Sequence, residues 1–147
     1  MKNDFLVRFE IPGEPVPQGR PIFSSKTKTA RDPDKSRNYK KLVRFYARRS
    51  KPPDIFDSAL SLEIEIIKSV PQSWSEKRKQ EAFAGKLLPT VKSDIDNYAK
   101  SIMDGMNGII YTDDKIICEL KVSKRYGPEA KAIVKIKKAS REGTAVR

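Results

Sequence analysis

Histidine is missing from this sequence of 147 residues, and cysteine occurs once. The absence of histidine excludes a histidine general base, Ser-His-Asp chemistry and histidine-ligated zinc. Cys118 cannot form a disulfide within the chain, which fits a reducing, cytoplasmic setting. Its place in an apolar run predicts a buried side chain. Any catalysis must therefore come from carboxylates, lysines or a metal.

Long apolar runs are missing as well. No stretch approaches the roughly 20 residues that a membrane-spanning helix needs, and charges interrupt the apolar part of the N-terminus. We therefore expect neither a membrane span nor a signal peptide. Hydrophobic residues make up 37% of the chain, which at this length suffices for one domain with its own core. We expect residues 1–147 to form a single domain that ends in a frayed tail over residues 140–147.

Charge is abundant and unbalanced, with 31 Lys and Arg against 19 Asp and Glu and a net charge of +12. Such an excess favours a polyanionic partner, above all nucleic acid. The acidic residues nevertheless concentrate between residues 94 and 114, where five aspartates accompany a single base, Lys100. Carboxylates held close together repel one another unless a proton or a cation lies between them, so this cluster invites a divalent metal. The composition therefore indicates a metal-dependent enzyme that acts on nucleic acid.

Hydrophobic periodicity predicts the main elements. Alternating apolar and polar residues predict strands over residues 5–11, 59–70, 115–124 and 130–138, and helical spacing predicts helices over residues 36–50, 74–84 and about 97–107. We expect these helices to begin at Ser36, Ser73 and Asp96. The last two strands are predicted to form an antiparallel hairpin through the turn at Gly127. The order predicts an α+β fold, with helices packed on a mixed, mainly antiparallel sheet.

Two regions are candidate DNA-binding surfaces. Prolines disfavour regular structure before residues 18–35, which we expect to form a mobile basic loop. On the helix predicted over residues 36–50, basic residues recur at i, i+4, i+7 and i+11, a stripe that can track a phosphate backbone. A solvated helix face is the alternative explanation of that stripe. The candidate DNA-binding residues are Arg20, Lys26, Lys28, Arg31, Arg37, Lys41, Arg44 and Arg48.

The spacing of the aspartates suggests a metal site. Asp94 and Asp96 are two residues apart, so both carboxylates face the same way on an extended segment. Lys100 follows one helical turn after Asp96, and Asp104 is its i+4 partner. Mg²⁺ accepts few protein ligands and keeps several waters, which suits phosphodiester hydrolysis. Lys100 would stabilise negative charge in the transition state or act as a counter-ion between the aspartates.

The later pair Asp113-Asp114 can return to the start of that helix, because a helix of about 11 residues spans only about 16 Å. Each aspartate also has a structural explanation when it is taken alone. Asp96 can serve as a helix cap, and the Asp113-Asp114 pair can serve as turn residues. Taken together in a basic chain without histidine, the aspartates favour a metal site.

The run KSDIDNYAKSIMDGMNGIIYTDDKII resembles the central motif of the RusA family of Holliday-junction resolvases. That motif reads K-P-D-x-D-N-x-x-K-x-x-x-D-x-(L/M)-N-G-x-x-(Y/W)-x-D-D-x-x-(I/V). The Pro-rich start, IPGEPVPQGRP, is also similar to the family's start. This sequence departs from the family at Ser93, where many members have Pro or Arg, and at Tyr98, where Leu is usual.

The resemblance implies a small homodimeric endonuclease, of a kind often found in prophages and phages. Such an enzyme cuts four-way DNA junctions symmetrically with Mg²⁺, for which Mn²⁺ can substitute. The resemblance places the metal-binding carboxylates at Asp94, Asp96 and Asp114, and the essential lysine at Lys100. It places supporting residues at Asn97 and Asp113. Two alternatives remain open, a Mg²⁺-dependent nuclease for other branched DNA or for RNA, and a nucleic-acid-binding module without enzymatic activity.

Overall fold

A mixed sheet with helices packed on it makes up the part of the chain that this computed structural model describes, residues 5–90 and 93–139. The predicted tail over residues 140–147 lies outside the described residues. The elements are β1 (Val7–Pro12), β2 (Ile22–Ser24), β3 (Thr29–Arg31), α1 (Asp34–Ser50), β4 (Leu60–Lys68), α2 (Glu76–Phe83), α3 (Ile95–Met106), a 3-10 helix (Asp114–Ile116), β5 (Ile117–Tyr126) and β6 (Lys131–Lys138). Among the described residues, no helix combines the length and the apolar character needed to cross a membrane.

The main sheet has the strand order β1-β6-β4-β5. Strand β6 pairs antiparallel with β1 and with β4, whereas β5 pairs parallel with β4. The predicted α+β class with a mixed, mainly antiparallel sheet is therefore confirmed. The predicted hairpin of the last two strands is wrong, because β4 lies between β5 and β6.

Gly127 explains how the chain passes from β5 to β6 around the end of β4. Its backbone N–H donates a hydrogen bond of 3.0 Å to the carbonyl of Lys68, the last residue of β4. A Cβ atom at position 127 would lie 2.5 Å from Cγ2 of Ile67, so only glycine fits this close approach. Alternation along β5 and β6 reports which face each side chain occupies, and it carries no information about the neighbouring strand.

Helices α1 and α3 share one hydrophobic core with the sheet. Tyr39, Val43 and Ala47 of α1 are buried in this core. The two helices approach closely at Gly105, where an added Cβ would lie 2.7 Å from both Cβ and Cγ1 of Val43. This contact determines which side chains of α1 can reach the aspartates of α3.

The predicted starts of α1 and α2 are wrong. Helix α1 begins at Asp34 directly after Pro33, and Ser36 lies buried inside its first turn. The Ser36 hydroxyl instead accepts a hydrogen bond of 2.8 Å from the backbone N–H of Gly19. Helix α2 is capped by Ser75, whose hydroxyl accepts the N–H three residues later, and not by Ser73.

Strand β5 forms an edge of the sheet, and this position makes the predicted burial of Cys118 wrong. The pairing with β4 shifts from Leu60 opposite Ile117 to Ser61 opposite Glu119, so that the register skips Cys118. The thiol is exposed at this irregularity. Leu120, on the same edge strand, is 47% exposed.

The segment predicted as a basic loop over residues 18–35 contains the short hairpin of β2 and β3 and reaches the start of α1. The residues of this hairpin are almost all exposed, including Phe23 at its second position. The predicted mobility of the segment stays a prediction.

Candidate active site

Helix α3 begins at Ile95, before the predicted start, and this changes the relation between two predicted site residues. Asp94 is the N-cap residue, with an extended backbone (φ −75°, ψ 145°) and no side-chain capping hydrogen bond. Asp96 lies in the first turn, so its predicted role as N-cap is wrong. Asp94 and Asp96 therefore do not lie on one extended segment, and their side chains leave the start of the helix in different directions. The carboxylate of Asp96 is still favoured by the positive end of the helix dipole.

Asp96, Lys100 and Asp114 line one cavity of about 480 Å³ beside α3 and β5. The remaining wall is apolar and consists of Ile95, Ala99, Met103, Leu120 and Val122. Asp94 is exposed at the helix entry and does not line this cavity. The structure therefore brings together two of the three predicted metal-binding carboxylates and the predicted essential lysine.

The backbone just before Asp94 has an unusual conformation. Ser93 has a φ of 89°, a region that L-residues seldom occupy and that costs on the order of 1–3 kcal/mol. Lys124 of β5 donates a hydrogen bond of 3.1 Å to the Ser93 carbonyl. This bond ties the entry of α3 to the strand that forms the other side of the cavity.

The consecutive aspartates Asp113 and Asp114 have different surroundings. Asp113 caps the 3-10 helix, and its Oδ1 accepts a hydrogen bond of 2.9 Å from the backbone N–H of Lys115. Asp114 is half-buried and lines the cavity. Asp113 thus supports the turn that presents Asp114, as turn chemistry predicts.

The surroundings of the Asp114 carboxyl oppose its ionisation. Burial raises the pKa of Asp114 above its ordinary value, and a hydrogen bond with Asp113 raises the pKa further. The charges of Asp113 and Asp104 act in the same direction, whereas Lys100 lowers this pKa. A proton and a metal ion compete for the same carboxylate oxygens. The cavity therefore favours a cation beside Asp114.

Ion pairs connect Lys100 to helix α1. Oδ2 of Asp104 lies 3.7 Å from Nζ of Lys100, which confirms the predicted i+4 pair, and 3.3 Å from Nζ of Lys40. Lys40 also donates a hydrogen bond of 2.7 Å to Oδ2 of Asp32. Sequence analysis missed Lys40, because its partner Asp104 is remote along the chain and because the basic stripe on α1 includes its neighbour Lys41 instead.

The Pro-rich segment reaches the same helix through Gln18. The backbone N–H of Gln18 donates a hydrogen bond of 2.9 Å to the carbonyl of Asn97, the predicted supporting residue. The Gln18 side chain donates a hydrogen bond of 3.2 Å to Oδ1 of Asp32. Asp32 therefore links the Pro-rich segment to Lys40, and Asn97 anchors that segment through its backbone.

Seven of the eight predicted DNA-binding residues are exposed, and several of these lie in or near the hairpin of β2 and β3. Arg20, Lys26 and Lys28 are exposed there, and Lys41 is exposed on α1. Arg31 and Arg37 are exposed too, although both pair with Asp34.

The two remaining candidates lie near the end of α1. Arg44 donates hydrogen bonds of 3.4 Å and 3.2 Å to the carbonyls of Gly105 and Asn107, and thereby satisfies the C-terminal end of α3. Arg48 lines a cleft of about 330 Å³ together with Arg44 and Lys51. The structure thus separates the predicted stripe into a helix-capping residue and accessible cations.

The donor set of the cavity fits a hard cation. Within residues 5–90 and 93–139, no three Asp, Glu or Cys side chains form a ready metal cage. Mg²⁺ does not require such a cage, because it keeps several waters and binds through one or two carboxylates together with substrate phosphates. Asp96 and Asp114 supply carboxylates of this kind at one cavity.

A family model described as Endodeoxyribonuclease RusA matches residues 12–137. A protein of Bacillus subtilis (strain 168), named Uncharacterized protein YqaN, is 38% identical over 138 residues, which cover 91% of this chain and 97% of that protein. The family match includes every residue of the cavity and every predicted DNA-binding residue.

Proposed function

This chain belongs to the RusA family of endodeoxyribonucleases, and we propose that it resolves Holliday junctions by paired, symmetric, Mg²⁺-dependent hydrolysis of phosphodiester bonds. The family implies an endodeoxyribonuclease of the Holliday-junction resolvase type, which binds branched DNA and generally depends on a divalent metal. The observation that carries the proposal is the single cavity lined by Asp96, Asp114 and Lys100 in a chain of net charge +12.

Asp96 and Asp114 would hold the metal, and we propose Asp94 as a third ligand from the helix entry. When bound, the metal neutralises charge on the scissile phosphate and lowers the pKa of a water molecule. Mg²⁺ is proposed because the donors are hard carboxylates in a chain without histidine, and Mn²⁺ would substitute because it accepts the same ligands.

Lys100 would act on the phosphate directly. Its side chain is 61% exposed beside the cavity, so its ammonium can approach a bound phosphodiester. There it would stabilise the negative charge that develops in the transition state. Asp113 would support Asp114 by holding the turn, and Asn97 would support the start of α3 through its bond to the Pro-rich segment.

The basic residues would hold the DNA by its backbone. Contacts from lysine and arginine to phosphates set the position of a duplex without reading its sequence. This suits an enzyme that recognises the shape of a junction. The proposed contacts are Arg20, Lys26, Lys28, Arg31, Arg37, Lys41, Arg44 and Arg48.

Paired cuts need two active sites, and we propose that a homodimer supplies them. An isologous dimer has the two-fold symmetry that a four-way junction approximates, so it would present two identical sites to two equivalent strands. We also propose a cytoplasmic location, since an exposed single cysteine suits a reducing compartment.

The direct test is cleavage of a four-way junction, a flap and a linear duplex of matched sequence, with Mg²⁺ or with EDTA. We expect Mg²⁺-dependent cuts at symmetric positions of two opposing strands of the junction, and little cleavage of the duplex. Equal cleavage of all three substrates would refute the resolvase proposal, and cleavage in EDTA would refute its metal dependence.

Site variants test the residues. Asp96→Asn and Asp114→Asn should each abolish cleavage while junction binding in a gel-shift assay persists, because the ligand is lost and the basic surface is not. Lys100→Met should lower kcat by about 100-fold, as the loss of one preorganised charge in a site typically does. Asp54→Asn, which changes an exposed carboxylate outside the cavity, is the matched control. Normal cleavage by Asp114→Asn would refute the assigned site.

Asp94 needs its own comparison, because it does not line the cavity. If Asp94 binds the metal, Asp94→Asn should be as inactive as Asp96→Asn. Nearly full activity of Asp94→Asn would remove Asp94 from the proposed ligand set and leave the other two in place.

A further inference from the structure

We propose that Lys40 is a positioning residue for the cleavage reaction, which acts through Asp104 to keep the ammonium group of Lys100 available to the substrate phosphate. The inference rests on the proposed function and extends it to a residue outside the cavity.

Lys40 is the closer of two lysines to the same carboxylate oxygen. Oδ2 of Asp104 lies 3.3 Å from Nζ of Lys40 and 3.7 Å from Nζ of Lys100. The side chains of Lys40 and Asp104 are 18% and 24% exposed, against 61% for Lys100. Water therefore screens the Lys40 pair less than the Lys100 pair, and Asp104 is held mainly from the side of α1.

Packing against α3 and the core determines the position of Lys40. Tyr39 and Val43, which flank it on α1, are buried in the core. Gly105 brings α3 so near that an added Cβ would lie 3.3 Å from the backbone oxygen of Lys40. A second bond, of 2.7 Å to Oδ2 of Asp32, fixes the end of the side chain.

Loss of Lys40 would change the partner of Asp104. The stem of Lys100 is flexible and largely exposed, so its ammonium can move the short distance to a carboxylate that has lost its other cation. When Asp104 holds this ammonium group, the carboxylate offsets part of its positive charge and occupies some of its N–H groups. The ammonium group then binds a phosphate less well. Lys40 thus prevents Asp104 from withdrawing Lys100 from the cavity.

The test measures kcat and KM for junction cleavage together with junction affinity. Lys40→Met should lower kcat by about tenfold, a change typical of one displaced charge, and should leave the affinity for the junction nearly unchanged. Lys77→Met removes an exposed lysine from the first turn of α2, outside the proposed site and the proposed DNA contacts, and should leave both quantities unchanged. Lys40→Arg keeps the charge and should recover most of the lost rate.

A double mutant separates positioning from a merely structural role. In the Asp104→Asn background the carboxylate of residue 104 no longer competes for Lys100, so adding Lys40→Met should have no further effect on kcat. If Lys40 had only a structural role, Lys40→Met would lower kcat equally in the wild-type and Asp104→Asn proteins and would also lower the melting temperature. That result would overturn the inference. A normal kcat for Lys40→Met would also overturn it. Failure of the wild-type protein to cleave junctions would refute the proposed function, which is a different outcome.

Discussion

Replacing Gly105 by alanine tests how closely α1 and α3 approach each other. An alanine Cβ would lie 2.7 Å from Cβ and Cγ1 of the buried Val43, whereas ordinary contacts begin at 3.4 Å, so the helices must separate by about 0.7 Å. Rotation of a side chain cannot relieve a contact between two Cβ atoms, and Val43 is also restricted at χ1.

Two opposing effects decide the magnitude for Gly105→Ala. Alanine is the better helix former by about 1 kcal/mol. Forcing an additional methyl group into a packed core typically costs about 1–3 kcal/mol. Because this site is rigid, we expect a net loss of about 1 kcal/mol in the free energy of unfolding. Separation of the helices would also draw Lys40 away from Asp104, so kcat should fall as well.

Urea unfolding followed by circular dichroism measures the change, with the m-value as the check that both proteins unfold alike. Ser101→Ala is the matched control on the same helix. Ser101 is fully buried, and its hydroxyl finds no hydrogen-bond partner among the described residues. Its removal should be neutral or stabilising by up to about 1 kcal/mol. A Gly105→Ala variant stabilised as much as Ser101→Ala would refute the close approach of the two helices.

The remaining predictions concern charge, capping and chain connection. The native pKa of Asp114 is raised, so the folded state binds this proton more tightly than the unfolded state, and stability falls as pH rises through that pKa. In EDTA, Asp114→Asn should therefore melt at a higher temperature than wild type at pH 7 and at the same temperature at pH 3; a lower melting temperature at pH 7 would contradict this. Ser75→Ala should cost about 1 kcal/mol in urea unfolding through loss of the α2 cap, while Ser73→Ala should cost nothing measurable, and equal effects would reject the assigned cap. Gly127→Ala should destabilise by about 1–3 kcal/mol through its overlap with Ile67, and an additive loss on combination with Ile67→Ala would contradict that cause.

The type and approximate position of the main helices and strands could be predicted because each of them exposes one face to solvent and buries the other. Apolar residues recur at helical spacing along α1 and alternate along β4 and β6, and these are the segments that form those elements. Helix starts were harder to predict. Serines precede or enter several helices, and the sequence does not tell which hydroxyl caps a helix and which, like Ser36, bonds to a distant backbone.

The edge strand β5 shows a second limit. Its apolar residues predict a strand, but burial depends on what lies on both sides of it. Since only β4 pairs with β5 within the described residues, Cys118 is exposed and Leu120 is largely open to solvent. Period-two alternation gives the same signal for a central strand and for an edge strand.

The chemical groups that this protein can use follow from its composition alone. A histidine-free, basic chain with clustered aspartates and one lysine among them already favours catalysis by carboxylates, an ammonium group and a divalent metal, because charge and ligand preference belong to the side chains themselves. Which of these groups meet depends instead on the packing of helices against the sheet. Asp96, Asp114 and Lys100 share a cavity because α3 packs beside β5, and Lys40 reaches Asp104 because Gly105 lets α1 approach α3. Distances between remote residues depend on how elements pack, and packing depends on the shapes of many side chains at once.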